Sequence, residues 1–271
     1  MLRLPAVAGQ FYPANAGELS ALIERYLQHE KTEEHKHVRA CLVPHAGYMY
    51  SGAVAGAVFG RIAVPKKVLL IGVRHYPRGE AWAILSAGAW RTPLGDVPVD
   101  TALAARVREA CPVLREDSVA HSREHSLEVE LPFLQRRSPG VTFVPIAVGT
   151  LQFEELVATG EGIARVLGES EEEILLVTSS DMNHYEGDER TKRKDRMAIE
   201  QLLHLDPRGL YNACREEKIS MCGLGPAVTM LTVMNALGVT TADLVCYMTS
   251  GDVTGERDRV VGYAGMVFGE S

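Results

Sequence analysis

Lys-Val-Leu-Leu-Ile-Gly-Val at residues 67–73 is followed at once by Arg74 and His75, and its pattern points to the architecture of the chain. Seven residues, apolar after the first and rich in β-branched side chains, read as a short strand buried on both faces. Two further runs have the same form. RACLVP at 39–44 runs into His45, and ILLVTS at 174–179 runs into Ser180, Asp181 and, three residues on, His184. Helical spacing fills much of the chain around them. It predicts helices over 17–28, 51–62, 100–110 (N-capped by Asp100), 122–137, 153–167, 190–203, 206–216 and 226–237, the last closed by Gly238. Strands are predicted at 81–87, 141–148, 241–249 and 260–268. Continuous apolar strands alternating with helices give an α/β fold: a layered mixed sheet with helices on both faces. The two late strands follow each other directly, which makes part of the sheet antiparallel.

The chain has 271 residues, 46% of them hydrophobic, and is read as a single domain spanning 1–271. Its formal charge of −7 argues against nucleic acid or an anionic membrane surface as partner. Cysteines stand at 41, 111, 214, 222 and 246, an odd number without a Cys-x-x-Cys pair. That pattern fits a reducing cytoplasm better than a disulfide framework. MLRLPAVAGQFYP at the start lacks the apolar core of a signal peptide, and no run approaches the roughly 20 apolar residues of a membrane span. The polar stretch HEKTEEHKH at 29–37 reads as a solvated connector, its histidines notwithstanding.

One event recurs. An apolar strand ends and a ligand-type residue follows, giving His45, His75, and Asp181 with His184. The carboxyl ends of strands form the binding rim of open α/β sheets. A single histidine there would read as a structural residue; three strand ends carrying such residues read as a site. Gly47 in His45-Ala-Gly-Tyr permits a left-handed or otherwise tight turn that would hold His45 at the strand tip. Asp181 and His184, three apart, would share one side of a helical turn and orient each other, the alternative being an N-cap with His184 incidental. Cys222, between Met221 and Gly223-Leu-Gly-Pro, stands just before a predicted helix, where the dipole would favour a thiolate for nucleophilic or ligand duty. His125 and Glu128 could sit together on the predicted 122–137 helix. The chain has no HExxH, Walker A loop, complete dinucleotide fingerprint or Gly-x-Ser-x-Gly elbow.

AGQFYP, VPHAGYMYSG, RTPLGDVPVD, EHSLEVELPFL, SSDMNHY and MCGLGP occur in this order, and with them the chain resembles the Memo family, whose prokaryotic members are called AmmeMemoRadiSam system protein B. The resemblance implies a fold related to class III extradiol dioxygenases (LigB-like) with a metal pocket at one rim. It implies His45, His75 and Cys222 as metal ligands, with Asp181 and His184 lining the same pocket as candidate catalytic residues. The sequence departs from the family pattern at Gly72-Val73-Arg74-His75-Tyr76, where relatives often carry Gly-Pro-Ser-His-His. It departs again at Val129-Glu130, where some carry a histidine. The family's name implies a functional link to radical-SAM and AMMECR1-like proteins.

Two imidazoles and a thiolate accept iron, copper or zinc and do not suit Mg²⁺ or Ca²⁺; the resemblance to extradiol dioxygenases puts iron first. Three expectations follow. The first is an iron-dependent, dioxygenase-like oxidoreductase on an unidentified small molecule, with His184 as general acid/base oriented by Asp181. The second is an adaptor without turnover that binds metal or a phosphopeptide, the latter through Arg74 and Arg123. The third is a zinc-dependent hydrolase.

Overall fold

The computed structural model describes residues 1–28 and 35–269. The first six residues of the 29–37 connector lie outside that set. The N-terminal half runs β1 (Leu2–Arg3), α1 (Ala16–Leu27), β2 (Ala40–Val43), α2 (Tyr48–Arg61), β3 (Lys67–Val73), β4 (Trp82–Ile84), β5 (Ala89–Thr92), β6 (Gly95–Pro98), α3 (Thr101–Ala110), β7 (Arg115–Glu116) and α4 (Ser118–His121). A 3-10 turn (Glu128–Glu130) leads into α5 (Leu131–Arg137), β8 (Thr142–Val148), α6 (Phe153–Gly168), β9 (Ile174–Ser179), β10 (His184–Glu186) and α7 (Asp188–Leu203). The chain closes with α8 (Pro207–Glu216), α9 (Leu224–Ala236), β11 (Ala242–Thr249), α10 (Ser250–Thr254) and β12 (Val260–Phe268).

Local chemistry explains many of these boundaries. Asn15 accepts the Gly17 and Glu18 amides at the start of α1, Asp100 accepts the Leu103 amide at the start of α3, and Asp206 with Pro207 starts α8. Gly238, at φ +71°, follows the end of α9.

The central strands β2, β9, β3 and β8 lie side by side and parallel, in that order. Outside them the pairing turns antiparallel, β12 with β2, β11 and β10 with β12, and β4 with β8, while β7 lies parallel to β4 at the far edge. The mixed sheet read from the two late strands is therefore present. Alternate residues serve opposite faces. Ala40, Leu42, Leu69, Ile71 and Leu176 join the core under α3, α6 and α9, whereas Cys41, Val43, Val68, Leu70 and Val177 join the core under α1, α2 and α5. That double burial is why these strands read as unbroken apolar runs. Among the described residues no helix is long and apolar enough to cross a membrane.

The structure corrects two readings. Residues 122–137 do not form one helix. Glu124 turns its carboxylate onto the His125 and Ser126 amides, 2.9 Å each, which removes them from a helical ladder. Helix α5 then starts afresh with Pro132 in its first turn. A hairpin, β5–β6, also pairs with β1 in a separate three-stranded sheet that alternation alone did not reveal.

Candidate metal centre

Because β2, β9 and β3 are parallel neighbours, their carboxyl ends share one rim, and His45, Asp181 and His75 leave it side by side. His184 and Cys222 face the same cavity of about 680 Å³, and so does His125. Among the described residues, three metal-type donors approach within 4.8 Å of one another: His45, His75 and His125. Cys222 meets this cluster through His45, its Sγ lying 3.2 Å from Nε2. Sequence reasoning missed His125. It follows no strand, and its ring reaches the site from the turn that Glu124 creates. There it stacks on His75 with centroids 4.5 Å apart and stands edge-on to His45 at 5.6 Å. The only signal was the histidine itself within EHSLEVE, and Glu128, its expected neighbour, turns away to Arg3, Tyr12 and the amides of Ala6 and Val7.

The imidazoles are held by their far nitrogens. His75 Nδ1 lies 2.9 Å from Glu124 Oε1, and its backbone amide donates to Oε2 at 2.6 Å. A carboxylate only accepts, so Nδ1 carries the proton and Nε2 keeps its lone pair. His184 Nδ1 likewise donates to the Ser220 carbonyl at 2.9 Å. His45 Nδ1 lies 2.7 Å from Ser179 Oγ, which in turn donates to Glu130 Oε1 at 3.0 Å.

Burial and neighbours set the charges. Burial depresses His45 well below its ordinary range, and the adjacent His75, His125 and His184 add to the effect. Burial also brings His125 down to about 4 and lowers His184. These rings are neutral and available as ligands near pH 7. Burial pushes the Glu124 carboxyl up, but the hydrogen bond and electrostatic pull of His75 and the Ser126 amide outweigh it and hold the group at about 2. Burial raises Asp181 to about 7 against the opposing pull of the His45 and Ala46 amides. Burial pushes Glu130 well above the ordinary carboxylate range.

Several details differ from expectation. Residues 181–183 are not helical, and Asp181 accepts the His45 amide at 2.8 Å, while Ser220 orients His184. The Asp181–His184 pairing is thus replaced by two separate supports within one cavity. Gly47 has φ −55°, and a Cβ there would meet only ordinary contacts, so no left-handed turn holds His45. Burial and the charge of Asp181 raise the Cys222 thiol, opposite to the lowering expected of a helix N-terminus. Gly223 is needed for closeness: a Cβ there would fall 2.4 Å from Ser180 Cβ, and its amide donates to Ser180 Oγ at 2.9 Å. That contact presses the Cys222 turn onto the tail of β9. Arg74 lines an adjoining cavity of about 180 Å³ that has Cys222 in common with the main one, its guanidinium donating to the Arg78 and Gly79 carbonyls. Neither Arg74 nor Arg123 lines the main cavity.

The donor set passes a chemical test for a transition-metal cation. Imidazole nitrogens and one sulfur converge, at least two rings have acceptors behind Nδ1, and the lone carboxylate, Asp181, is engaged with backbone amides. The mouth is apolar and aromatic, with Phe11, Met49, Tyr50, Tyr185, Val261 and Tyr263, and among the described residues no lysine or arginine lines it.

A family model described as Memo-like protein matches residues 3–267. A MEMO1 family protein of Aquifex aeolicus is 41% identical over 98% of this chain and 99% of its own length. Another from Methanopyrus kandleri is 38% identical over 99% of both chains. A solved structure of an uncharacterized protein from Escherichia coli K12 matches with a TM-score of 0.57 at 14% identity, over 85% of this chain and 100% of that one, a likeness of fold.

Proposed function

The chain belongs to the Memo-like protein family, and from that premise we propose that it binds one transition-metal cation at the rim and acts as a redox metalloenzyme on a small, uncharged molecule. The observation that carries the reading is the convergence of His45, His75 and His125 within 4.8 Å, with Cys222 Sγ 3.2 Å from His45. His45, His75 and Cys222 would hold the cation, and His125 is placed to complete the set or to contact substrate. Iron is the first choice, with copper or zinc as alternatives. When bound, such a cation supplies a Lewis acid with open coordination positions and, in the case of iron or copper, electron transfer.

The chain's own residues do the rest. His184, with Nδ1 committed to Ser220, offers Nε2 as the proton acceptor or donor for substrate. Asp181 fixes the His45 backbone from beneath. The aromatic mouth of Phe11, Tyr50 and Tyr263 would desolvate a flat or apolar ligand, and the lack of a cationic lining side chain among the described residues disfavours phosphorylated or carboxylated ones. The extradiol-dioxygenase relationship belongs to this reading. So does the link to radical-SAM and AMMECR1-like proteins, which co-purification would test.

The test is anaerobic purification, metal quantification and oxygen-electrode measurements with catechol-like compounds. Bound iron with oxygen uptake supports the reading. Zinc with hydrolysis and no uptake would replace it with a hydrolase, and metal with neither activity would leave a binding protein. A protein that retains no transition metal at all sinks it.

A further inference from the structure

Three histidines of the cavity are backed at Nδ1, but not by equivalent partners. Glu124 and the Ser220 carbonyl can only accept, so they fix the tautomers of His75 and His184 unaided. His45 is backed by a hydroxyl, which can either donate or accept. Ser179 has one proton. Whichever partner receives it decides which nitrogen of His45 carries hydrogen.

We propose that Glu130 is a positioning residue for the rim site: by taking the Ser179 proton it forces His45 to donate from Nδ1 and so turns the unprotonated Nε2 toward the cation gap. The chain of contacts is continuous, with Glu130 Oε1 to Ser179 Oγ at 3.0 Å, Ser179 Oγ to His45 Nδ1 at 2.7 Å, and His45 Nε2 to Cys222 Sγ at 3.2 Å. Glu130, Ser179 and His45 are each at most 1% exposed, so bulk water does not offer Ser179 another acceptor. Burial favours the protonated carboxyl of Glu130. With that proton on Oε2, Oε1 still accepts from Ser179, so the relay keeps its direction in either charge state. Glu130 itself is placed by the 3-10 turn, which Tyr48 grips by donating its hydroxyl to the Val129 carbonyl at 2.6 Å.

The inference rests on the reading of His45 as a ligand, yet its deciding measurement needs no metal. Nitrogen NMR of ¹⁵N-histidine-labelled, metal-free protein reports the tautomer of His45 directly. Wild type is expected to carry the proton on Nδ1. In Glu130→Leu the Ser179 proton has only His45 Nδ1 to go to, so the tautomer is expected to reverse to Nε2–H. In Ser179→Ala the preference is expected to collapse to a mixture. A merely structural role for Glu130 would not reverse a tautomer. Zinc(II) affinity, measured by competition with a chelator, is expected to drop at least about tenfold in both variants, as for other supporting partners of ligand histidines. Wild type with Nε2–H, or Nδ1–H retained in both variants, overturns the proposal; should Glu130→Leu fail to fold, Ser179→Ala decides. If wild type shows Nδ1–H and the variants shift but zinc never binds, the tautomer relay stands and the metal-site reading falls.

Discussion

Both carboxylate oxygens of Glu124 serve the His75 loop and the turn beside it, so one side chain fixes two of the clustered rings: His75 by direct contact and His125 through its amide. Substituting Glu124→Gln should lower zinc(II) or iron(II) affinity by about 10- to 100-fold while leaving the far-ultraviolet spectrum unchanged. An affinity within twofold of wild type would show that His75 needs no such support. His125 gives a prediction about pH. Its folded value is about 4, below the ordinary 6.5 of a free imidazole, so over that interval the unfolded chain binds a proton that the fold does not. Its contribution to stability is therefore complete above pH 6.5 and is lost as pH falls toward 4, with a slope of up to about 1.4 kcal/mol per pH unit. Urea unfolding of metal-free protein should show that acid limb, and His125→Phe should flatten it. Parallel curves for the two proteins would exclude the assignment. The residue scale is also where legibility was uneven. His45, His75 and Asp181 could be found because each closes an apolar strand, and parallel strands bring their ends together. His125 could not, because a carboxylate-made turn carries no periodicity. Cys222 could be suspected from its glycine neighbours, but not the direction of its proton equilibrium, which burial decides.

Helix α2 carries the chain away from His45, and its glycines let α1 lie directly on it. A Cβ at Gly56 would fall 2.5 Å from Tyr26 Cβ and 2.8 Å from the Tyr26 carbonyl oxygen, which is backbone and cannot rotate away. Intrinsic helix propensity favours alanine over glycine by about 1 kcal/mol, so an exposed helix would gain from the change. Here overpacking should reverse the sign, and Gly56→Ala is expected to cost about 1–3 kcal/mol in chemical denaturation. A stabilised variant would mean that α1 can move aside freely. The same contacts explain what could be read of the elements. The strands at 174–179 and 260–268 and the helix starting after Asp100 have bounds that apolar runs or caps announce. Helix α2 begins at Tyr48, three residues before the small-residue spacing suggested, because the Tyr48 amide is tied to the Phe11 carbonyl at 2.7 Å. The β5–β6 hairpin escaped notice because its partner strand is the start of the chain, 87 residues away in the register of Leu2 with Ala89.

Across the whole molecule, the first dozen residues form a strap that ties the two sheets to the site. Arg3 reaches over Trp90 with its guanidinium 4.0 Å from the ring centroid. It donates to the His121 and Glu124 carbonyls at 2.7 Å each and to the Glu128 carboxylate at 2.7 Å. Glu128 in turn holds the Ala6 and Val7 amides and the Tyr12 hydroxyl, and Phe11, next along, packs its ring 4.8 Å from His125. A buried charge pair is weak evidence of net stability, but removing one partner strands the other. Arg3→Met should therefore destabilise the protein by about 3–5 kcal/mol. The effect should also be directional. Amide exchange at residues 6–12 should accelerate, the β3 and β9 amides should keep their relative protection, and cation affinity should fall because Phe11 no longer braces His125. Adding Glu128→Gln to Arg3→Met should restore part of the stability, since the stranded charge is gone while an acceptor for Val7 or Tyr12 survives. A loss under about 1 kcal/mol with unchanged exchange at residues 6–12 would mean that the strap merely rests on the rim. The recovery in the double variant separates the two explanations of a large loss, stranded charge or lost packing over Trp90, because only the first is relieved by neutralising Glu128.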